Sequence, residues 1–124
     1  MRKGRTVYEL KRKSGSETWE TLEMPGVEIC VLRRDETTGG LTVLTRIAPG
    51  GMIPAHSHTK ADEFVFVVEG EFVEDGEVYG PGSYFYGRAG TTHGPHSSPG
   101  GCVVMTHFSA ELDFVPAEDP TQRR

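Results

Sequence analysis

The sequence has few cysteines that could form disulfides and no long apolar run that could cross a membrane. It has only two cysteines, Cys30 and Cys102, and their spacing fits neither a metal-binding pair nor a disulfide framework. This cysteine usage favours a reducing cytoplasm. No run of about 18 apolar residues exists, so we expect no transmembrane helix and no membrane partner. Residues 1–13 also lack the apolar stretch of a secretory signal.

Basic residues are scarce outside the two ends of the chain. The protein has 13 Lys and Arg against 18 Asp and Glu, a formal net charge of -5. Six of the basic residues lie within residues 1–13, so the body of the chain is strongly acidic. Such a body repels phosphate groups, and we expect no nucleic-acid partner. The basic N-terminal arm has no clear apolar face and is expected to be solvated and flexible.

The composition indicates short strands rather than helices. Hydrophobic residues make up 35% of the chain, and 16 Gly and 8 Pro supply many turns. Apolar positions alternate over residues 27–31, residues 41–47 are strand-like, and the uninterrupted apolar run 64–68 suits a buried strand. Asp75-Gly76 predicts a hairpin turn. Only residues 17–24 have a helical period, over at most about two turns.

Short strands with regular Gly and Pro between them are typical of a sandwich or barrel. We therefore expect an all-β fold, a jelly-roll β-barrel in which two sheets pack on each other. At 124 residues the chain is about one domain long, so residues 1–124 are interpreted as a single domain. Its core is expected at about residues 19–110, and the polar C-terminal tail, Pro116 to Arg124, is expected to be disordered.

The residues that carry chemistry lie between Pro49 and Glu63 and again at His93. His56 and His58 are two positions apart, so on a strand their side chains point to the same face. Neutral imidazole suits zinc, iron, copper and nickel, and Glu63 can bring a carboxylate to the same ion from a neighbouring strand. His93 can supply a fourth donor. Such a set leaves coordination positions open, as catalysis requires.

The spacing of these residues resembles the two motifs of the cupin superfamily. The first motif is matched at every fixed position, by Gly50-x5-His56-x-His58-x4-Glu63-x6-Gly70. The second is matched at all but two positions, by Gly82-x5-Arg88-x-Gly90-x2-His93-x3-Ser97. Cupins usually have Pro where Arg88 stands and Asn where Ser97 stands, and neither position is a metal ligand. The resemblance thus implies one divalent ion, with Fe(II) favoured and Zn, Mn, Ni or Cu as alternatives.

Further segments resemble a narrower group, the cupins similar to the zinc-binding domain of an anti-sigma factor. These segments are Pro25-Gly26-Val27, Thr45-Arg46-Ile47-Ala48-Pro49-Gly50, Glu69-Gly70-Glu71-Phe72, Gly80-Pro81-Gly82-Ser83-Tyr84 and Ser98-Pro99-Gly100-Gly101-Cys102. The likeness runs from about Trp19 to Phe108. Acetylacetone dioxygenase and dihydroxyacetophenone dioxygenase belong near this group, but cupins host many activities, so the fold alone does not fix the reaction.

Several of these residues have a plainer interpretation. Asp62 is the rival of Glu63, because a shift of one residue decides which carboxylate points inward. We favour Glu63, which stands at the motif position and begins the apolar run. His56 and His58 would otherwise be ordinary surface histidines.

Five further residues are candidates for substrate contact: Arg88, His96, His107, Tyr86 and Met105. Arg88 either anchors an anionic or carbonyl substrate or is an exposed turn residue. His96 is either a base or substrate contact beside the metal site, or a loop histidine. His107 shares a strand face with Met105, and either lines the pocket or is a hydrogen-bonded core residue. Tyr86 either lines the pocket mouth or packs in the core.

The function expected first is a non-haem Fe(II) dioxygenase that cleaves a carbon–carbon bond in a small diketone or hydroxyketone. His56, His58 and His93 are then the permanent ligands, and Glu63 is a fourth ligand or a catalytic proton acceptor. The alternative is a zinc-binding sensory or ligand-binding module without redox catalysis. A homodimer is expected, because a closed two-fold dimer is the default for small oligomers.

Overall fold

The computed structural model describes residues 7–117, which form strands and turns and no helix. The thirteen strands are β1 (Glu20–Thr21), β2 (Val27–Arg34), β3 (Leu41–Ile47), β4 (Gly51–Ile53), β5 (His56–Ser57), β6 (Glu63–Gly70), β7 (Phe72–Glu74), β8 (Glu77–Tyr79), β9 (Tyr84–Gly87), β10 (Thr92–His93), β11 (His96–Ser98), β12 (Cys102–Phe108) and β13 (Val115–Pro116). The predicted all-β class is confirmed.

The strands form a jelly roll of three sheets. The largest has six strands in the order β1-β2-β3-β12-β6-β9, and a four-stranded sheet has the order β4-β11-β7-β8. A short sheet, β10-β5-β13, brings together segments that are far apart in sequence. Except at the β-bulges in β2 and β6, the antiparallel pairing keeps alternate side chains on one face of the large sheet, which is what a barrel interior requires.

The core lies on the inner face of the large sheet. In β3 the residues Leu41, Val43, Thr45 and Ile47 are buried, and the residues between them are only half-buried. Val67 and Ile47, at 0% and 1% exposure, lie in the larger buried cluster. Full burial of one such aliphatic side chain stabilises the fold by about 1.5–3 kcal/mol. The alternation in β3 therefore determines which face is buried.

The apolar run 64–68 is a strand, but the expectation that all of it belongs to the core is wrong. Val65 and Val67 are buried, while Phe66 and Val68 are 41% and 43% exposed. Since the strand period is two, a continuous apolar run places half of its side chains on the outer face of the sheet. The run resembles a strand covered on both faces, yet among the described residues only its inner face is fully covered.

An apolar row crosses the outer face of the large sheet. The strand register aligns Leu44 of β3 with Met105 of β12, Phe66 of β6 and Tyr84 of β9. Beside this row, the segment before β1 covers part of the outer face, where the guanidinium of Arg46 lies 4.0 Å from the ring centroid of Trp19. The outer face of the barrel is therefore covered on one side only.

The turns follow the glycine positions. Asp75 and Gly76 both have positive φ, 52° and 77°, between β7 and β8, so the predicted hairpin turn is present. Gly70 has φ 85°, and an added Cβ would lie 2.2 Å from the carbonyl oxygen of Gly101. Only glycine fits where β6 meets the start of β12 this closely.

The two ends of the described chain differ from expectation. Residues 17–24 are not helical, and they contain β1, because pairing of Glu20 with Ile29 extends the sheet. Val115–Pro116 form β13, so ordered structure continues beyond residue 110. The predictions for Arg2, Lys3 and Arg5, and for the tail after residue 117, lie outside the described residues. Residues 7–117 contain no helix with the length and apolar content needed to cross a membrane.

Candidate metal centre

Four donor side chains meet where the short sheet adjoins the large one. His56 lies in β5, His58 follows it, Glu63 begins β6 and His93 ends β10. One ligand atom from each lies within 4.8 Å of the others. The pairing of His93 with His56 across β10 and β5 brings the distant histidine to the site. The structure thus brings together all four residues that the sequence predicts as ligands.

Backbone carbonyls fix the orientation of two imidazole rings. Nδ1–H of His56 donates to the carbonyl oxygen of Pro54, and Nδ1–H of His58 donates to that of Asp113, both at 2.6 Å. A carbonyl can only accept, so the proton of each neutral ring is held on Nδ1. Nε2 of both rings is then left as an unprotonated donor toward the centre of the cluster, which is the tautomer that binds metal.

The donor atoms are spaced as an ion would require. Oε1 of Glu63 lies 2.7 Å from Nε2 of His93 and 3.5 Å from Nε2 of His58. Nε2 of His93 lies 3.2 Å from Nε2 of His56. Ligands bound at about 2.1 Å around one ion are separated by roughly 3–4 Å, so the distances of 3.2 and 3.5 Å fit directly, and the Glu63–His93 pair would have to separate by a few tenths of an ångström. Nε2 of His58 is moreover buried without a hydrogen-bond partner among the described residues, and such an atom calls for a metal or other partner.

The electrostatics keep Glu63 ionised. Burial opposes its charge, but the nearby imidazoles of His58 and His93 outweigh burial and lower the pKa of Glu63 to about 2. Burial likewise disfavours the charged form of His58, yet the nearby Glu63 carboxylate and the hydrogen bond to the Asp113 carbonyl raise the pKa of His58. The pKa of His56 is lowered, chiefly by burial. Three imidazoles and one carboxylate form a borderline donor set that suits Fe, Zn, Mn, Ni or Cu.

A cavity of about 360 Å³ opens beside the cluster. Its walls are mostly apolar side chains from both large sheets, among them Val43, Val65, Phe72, Val104 and Phe108. Of the described residues that line it, none is Lys or Arg, and the polar ones besides His56, His58, Glu63 and His96 are Glu23, Thr45 and Thr106. The cavity therefore suits a small uncharged molecule whose polar end faces the donor cluster.

His96 borders the cavity without belonging to the donor cluster. Its ring stacks on Phe72, with centroids 4.9 Å apart, and lies 5.7 Å from that of His93. Its Nδ1 lies 2.5 Å from Oε1 of Glu74, and both atoms are buried. Burial lowers the pKa of His96 to about 4 and raises that of Glu74. Both shifts favour an uncharged pair.

The other four candidates for substrate contact lie away from the cavity. Tyr86 and Met105 are 51% and 38% exposed on the outer face of the large sheet. His107 is half-buried there, with Nδ1 2.8 Å from Oγ1 of Thr42. Arg88 is exposed in the turn between β9 and β10. None of the four lines this cavity, because strand alternation turns Tyr86, Met105 and His107 outward, and for Arg88 and His107 the plainer interpretations, an exposed turn residue and a hydrogen-bonded residue, fit the structure.

Three residues at the site were not predicted. Phe114 stacks on His56 with ring centroids 4.3 Å apart, Asp113 accepts from His58, and Glu74 pairs with His96. Leu112 and Phe114 are apolar and follow β12, which was a signal that the segment after this strand packs against the barrel. Nothing in the sequence singles out Glu74 among the many acidic residues.

Residues 9–111 match the family described as the ChrR cupin-like domain. The chain belongs to this family. The predicted resemblance to cupins of the anti-sigma-factor type is therefore confirmed, and the jelly roll with its three histidines and a glutamate is a cupin barrel. No curated protein matches this cupin significantly.

Solved structures with quite different functions are similar to this cupin. An acetylacetone dioxygenase from Acinetobacter johnsonii is 16% identical with a TM-score of 0.71, over 99% of this chain and 85% of that one. The polyketide cyclase RemF from Streptomyces resistomycificus is 23% identical with a TM-score of 0.67, over 92% and 94%. Similarity at this level of identity shows the fold alone.

The complex of Rhodobacter sphaeroides SigE with the anti-sigma ChrR also contains a similar chain. It is 22% identical with a TM-score of 0.65, over 78% of this cupin. The match spans only 52% of that chain, so this cupin corresponds to about half of it.

Proposed function

We propose that this cupin is a non-haem Fe(II) dioxygenase that cleaves a carbon–carbon bond in a small diketone or hydroxyketone. The observation that carries the proposal is the position of a three-histidine, one-carboxylate cluster at the wall of an apolar cavity without a cationic residue. Such a cavity disfavours anionic substrates and favours an uncharged molecule that binds through its carbonyl oxygens. The fold likeness to acetylacetone dioxygenase agrees with this choice.

His56, His58 and His93 would hold the iron, each through its inward nitrogen. When bound, Fe(II) supplies Lewis acidity for the carbonyl oxygens and redox access to dioxygen. Glu63 would be a fourth ligand or a proton acceptor, and its position favours the first role, because Oε1 lies 2.7 Å from Nε2 of His93 and 3.5 Å from Nε2 of His58. Val65, Phe72 and Val104 line the cavity and exclude water from the apolar part of the substrate.

The reaction is balanced by one molecule of dioxygen. Both of its oxygen atoms enter the products when the bond between a carbonyl carbon and its neighbour breaks. Pentane-2,4-dione would give acetic acid and a ketoaldehyde, and the electrons lost by the cleaved carbons reduce the oxygen. An α-hydroxyketone would give two acids, and a β-hydroxyketone would give an acid and an aldehyde, each with both oxygen atoms of one O2 in the products. No further reductant is needed for the diketone.

Oxygen uptake tests this proposal. Protein loaded with Fe(II) should consume oxygen and form acetate in equal amounts when pentane-2,4-dione is added. His58→Ala should abolish uptake, whereas Tyr86→Phe, on the outer face, should retain it. An iron-loaded protein that consumes no oxygen with any member of a diketone and hydroxyketone panel would disprove the proposal.

A zinc-binding sensory or ligand-binding module is the second candidate. The family match and the likeness to the SigE–ChrR complex favour it, as does the carboxylate within the donor cluster, which closes the set to four protein ligands. Elemental analysis of protein purified without a metal-affinity step distinguishes the two. Stoichiometric iron or manganese that is lost in His58→Ala supports the dioxygenase. Stoichiometric zinc supports the sensory module.

We also infer that two copies of this chain pair through the outer face of the large sheet. The patch consists of uncharged side chains that are between 38% and 59% exposed: Phe66, Val68, Tyr84, Tyr86 and Met105. Together they expose roughly 500 Å², not far from the ~800 Å² that each partner buries in a standard interface. Because the body of the chain is acidic, two copies repel each other least where this uncharged face meets its own image.

Sedimentation velocity tests the pairing. The protein should sediment at about twice the chain mass of 13.6 kDa, and Phe66→Lys should sediment as a single chain. Val78→Lys is the matched control, because Val78 is 61% exposed but lies in the four-stranded sheet. A dimer that survives Phe66→Lys, or a single chain in the unaltered protein, would contradict this interface.

A further inference from the structure

The chain after β12 returns across the metal site. We name residues 109–117 the C-terminal strap. At its start, the backbone N–H of Ser109 donates to the carbonyl oxygen of Asp62 at 3.0 Å. At its end, β13 pairs with β5, and the N–H of Ala117 donates to the carbonyl oxygen of Ala55 at 3.0 Å. The strap is therefore fastened at both ends to the segments that flank the histidine pair.

Asp113, in the middle of the strap, holds His58 by two routes. Its carbonyl oxygen accepts the hydrogen bond from Nδ1 of His58 at 2.6 Å. Its carboxylate accepts from the backbone N–H of Thr59 at 2.8 Å and from the Thr59 hydroxyl. One strap residue thus fixes both the ring orientation of a metal donor and the backbone that follows it.

Phe114 holds the second histidine. Its ring stacks on that of His56 with centroids 4.3 Å apart and planes 20° apart, and its centroid lies 6.3 Å from that of His58. Stacking on Phe114 and the hydrogen bond from Nδ1 to the Pro54 carbonyl together leave the His56 ring little freedom to rotate. Phe114 also lines the cavity, together with Leu112 of the strap.

The strap itself is weakly held. Leu112, Phe114 and Val115 are 38%, 42% and 42% exposed, although all three are apolar. The strap contributes no residue to the two buried core clusters except Ala110, which packs against one of them. A segment held mainly by exposed hydrogen bonds opens at a lower free-energy cost than the core strands.

We propose that the C-terminal strap is the positioning element of the metal site and the removable wall of its cavity. Asp113 and Phe114 are positioning residues that hold His58 and His56 in the orientation that binds the ion. Opening of the strap then exposes the cavity and loosens two of the four donors at once. Coupling of this kind is reciprocal. The free energy by which a bound ion favours the closed strap equals the free energy by which the closed strap favours ion binding.

This inference rests on the metal site of the proposed function but not on the dioxygenase reaction. Its test therefore uses Co(II) and Zn(II) alone, with affinity measured by competition against a chelator and the ligand geometry read from the visible absorption of bound Co(II). Phe114→Ala should weaken binding of both ions by roughly 10–100-fold and change the Co(II) spectrum, because the partners that orient a ligand contribute that much. Phe114→Tyr, which keeps the stacked ring, should restore both.

Val115→Ala is the matched control in the same strap. Val115 is as exposed as Phe114, but it has no ring that could stack on a donor histidine, and it does not line the cavity. The Val115→Ala variant should therefore bind Co(II) as the unaltered protein does. Asp113→Ala removes the Thr59 anchor and should weaken binding in the same direction as Phe114→Ala. If Phe114→Ala does not fold, Phe114→Leu and Asp113→Ala give the same comparison.

Hydrogen exchange supplies the reciprocal measurement. Amides of residues 112–117 should exchange more slowly in the Zn(II)-loaded protein than in the metal-free protein, and this protection should be smaller in Phe114→Ala. Equal affinities for the variants and the unaltered protein, or equal exchange with and without metal, would overturn the strap proposal alone. Failure of the unaltered protein to bind either ion would overturn the metal site and this inference with it.

Discussion

Asp62 and Glu63 are neighbours in the chain, but their carboxylates have entirely different partners. Oε1 of Glu63 lies 2.7 Å from Nε2 of His93, within the donor cluster. Oδ1 of Asp62 accepts a hydrogen bond from the backbone N–H of Ala89 at 2.9 Å, in the turn that leads to His93. Because successive residues of a strand point to opposite faces, one position separates a metal donor from a turn anchor.

The difference between these two carboxylates gives a direct test of the ligand set. Glu63→Gln removes a charged donor and should weaken Zn(II) and Co(II) binding by roughly 10–100-fold. Asp62→Asn removes the same charge from the neighbouring residue and should leave the affinity within a factor of about three. Chelator competition on both variants measures this. Equal losses in the two would mean that overall charge, not ligation, determines the affinity.

The metal cluster could be predicted from the sequence because its four residues stand at the fixed spacings of two short motifs. The spacing from His56 to Glu63 spans one turn between two strands, and pairing of His93 with His56 follows from the barrel topology. The strap could not be predicted, since the contact of Asp113 with His58 joins residues 55 positions apart. No periodicity or turn pattern encodes a pairing at that distance.

The outward position of Tyr86, Met105 and His107, three candidates for substrate contact, could not be predicted for a different physical reason. The alternation in β12 is clear, but Val103, Met105 and His107 on one face are about as apolar as Cys102, Val104 and Thr106 on the other. The sequence therefore shows that side chains alternate between two faces of β12, but it does not show which of the two faces points inward. A shift by one residue would move every side chain to the opposite face. The same ambiguity explains the wrong assignment of Phe66 and Val68 to the core.

Two neighbouring valines test which face of β6 is buried. Val67→Ala should lower the free energy of unfolding by roughly 2 kcal/mol, since the residue is 0% exposed and its truncation leaves a cavity. Val68→Ala should lower the free energy of unfolding by less than about 0.5 kcal/mol, because Val68 is 43% exposed. The loss of strand propensity adds to this value and is the same in both variants. Urea unfolding of the metal-free variants, at one fixed protein concentration, measures both losses of free energy. Similar losses would contradict the burial pattern.

The lowered pKa of Glu63 predicts how acid affects the metal-free protein. A carboxyl group with a pKa of about 2 in the folded state and an ordinary value of 4.5 stabilises the fold above pH 4.5. This contribution, up to about 3 kcal/mol, is lost as the pH falls from 4.5 toward 2, because the unfolded state then binds the proton more tightly.

Glu63→Gln should therefore flatten the acid dependence of stability. Its free energy of unfolding should fall less steeply than that of the unaltered protein between about pH 5 and pH 3. Urea titrations at several pH values, with metal removed by a chelator, give the two slopes. Parallel slopes would show that the carboxyl group of Glu63 titrates normally and is not held by His58 and His93.

Two histidines that the sequence could not distinguish should behave differently. His96 borders the cavity, so His96→Asn should lower kcat/KM for oxygen uptake by roughly tenfold or more through lost contact with the substrate. His107 bonds Thr42 on the outer face, so His107→Asn should cost about 1 kcal/mol of stability and leave kcat/KM unchanged. Oxygen-electrode kinetics and urea unfolding on both variants separate the two effects. Activity lost in His107→Asn at full metal loading would mean that the outer face, rather than the cavity, contacts the substrate.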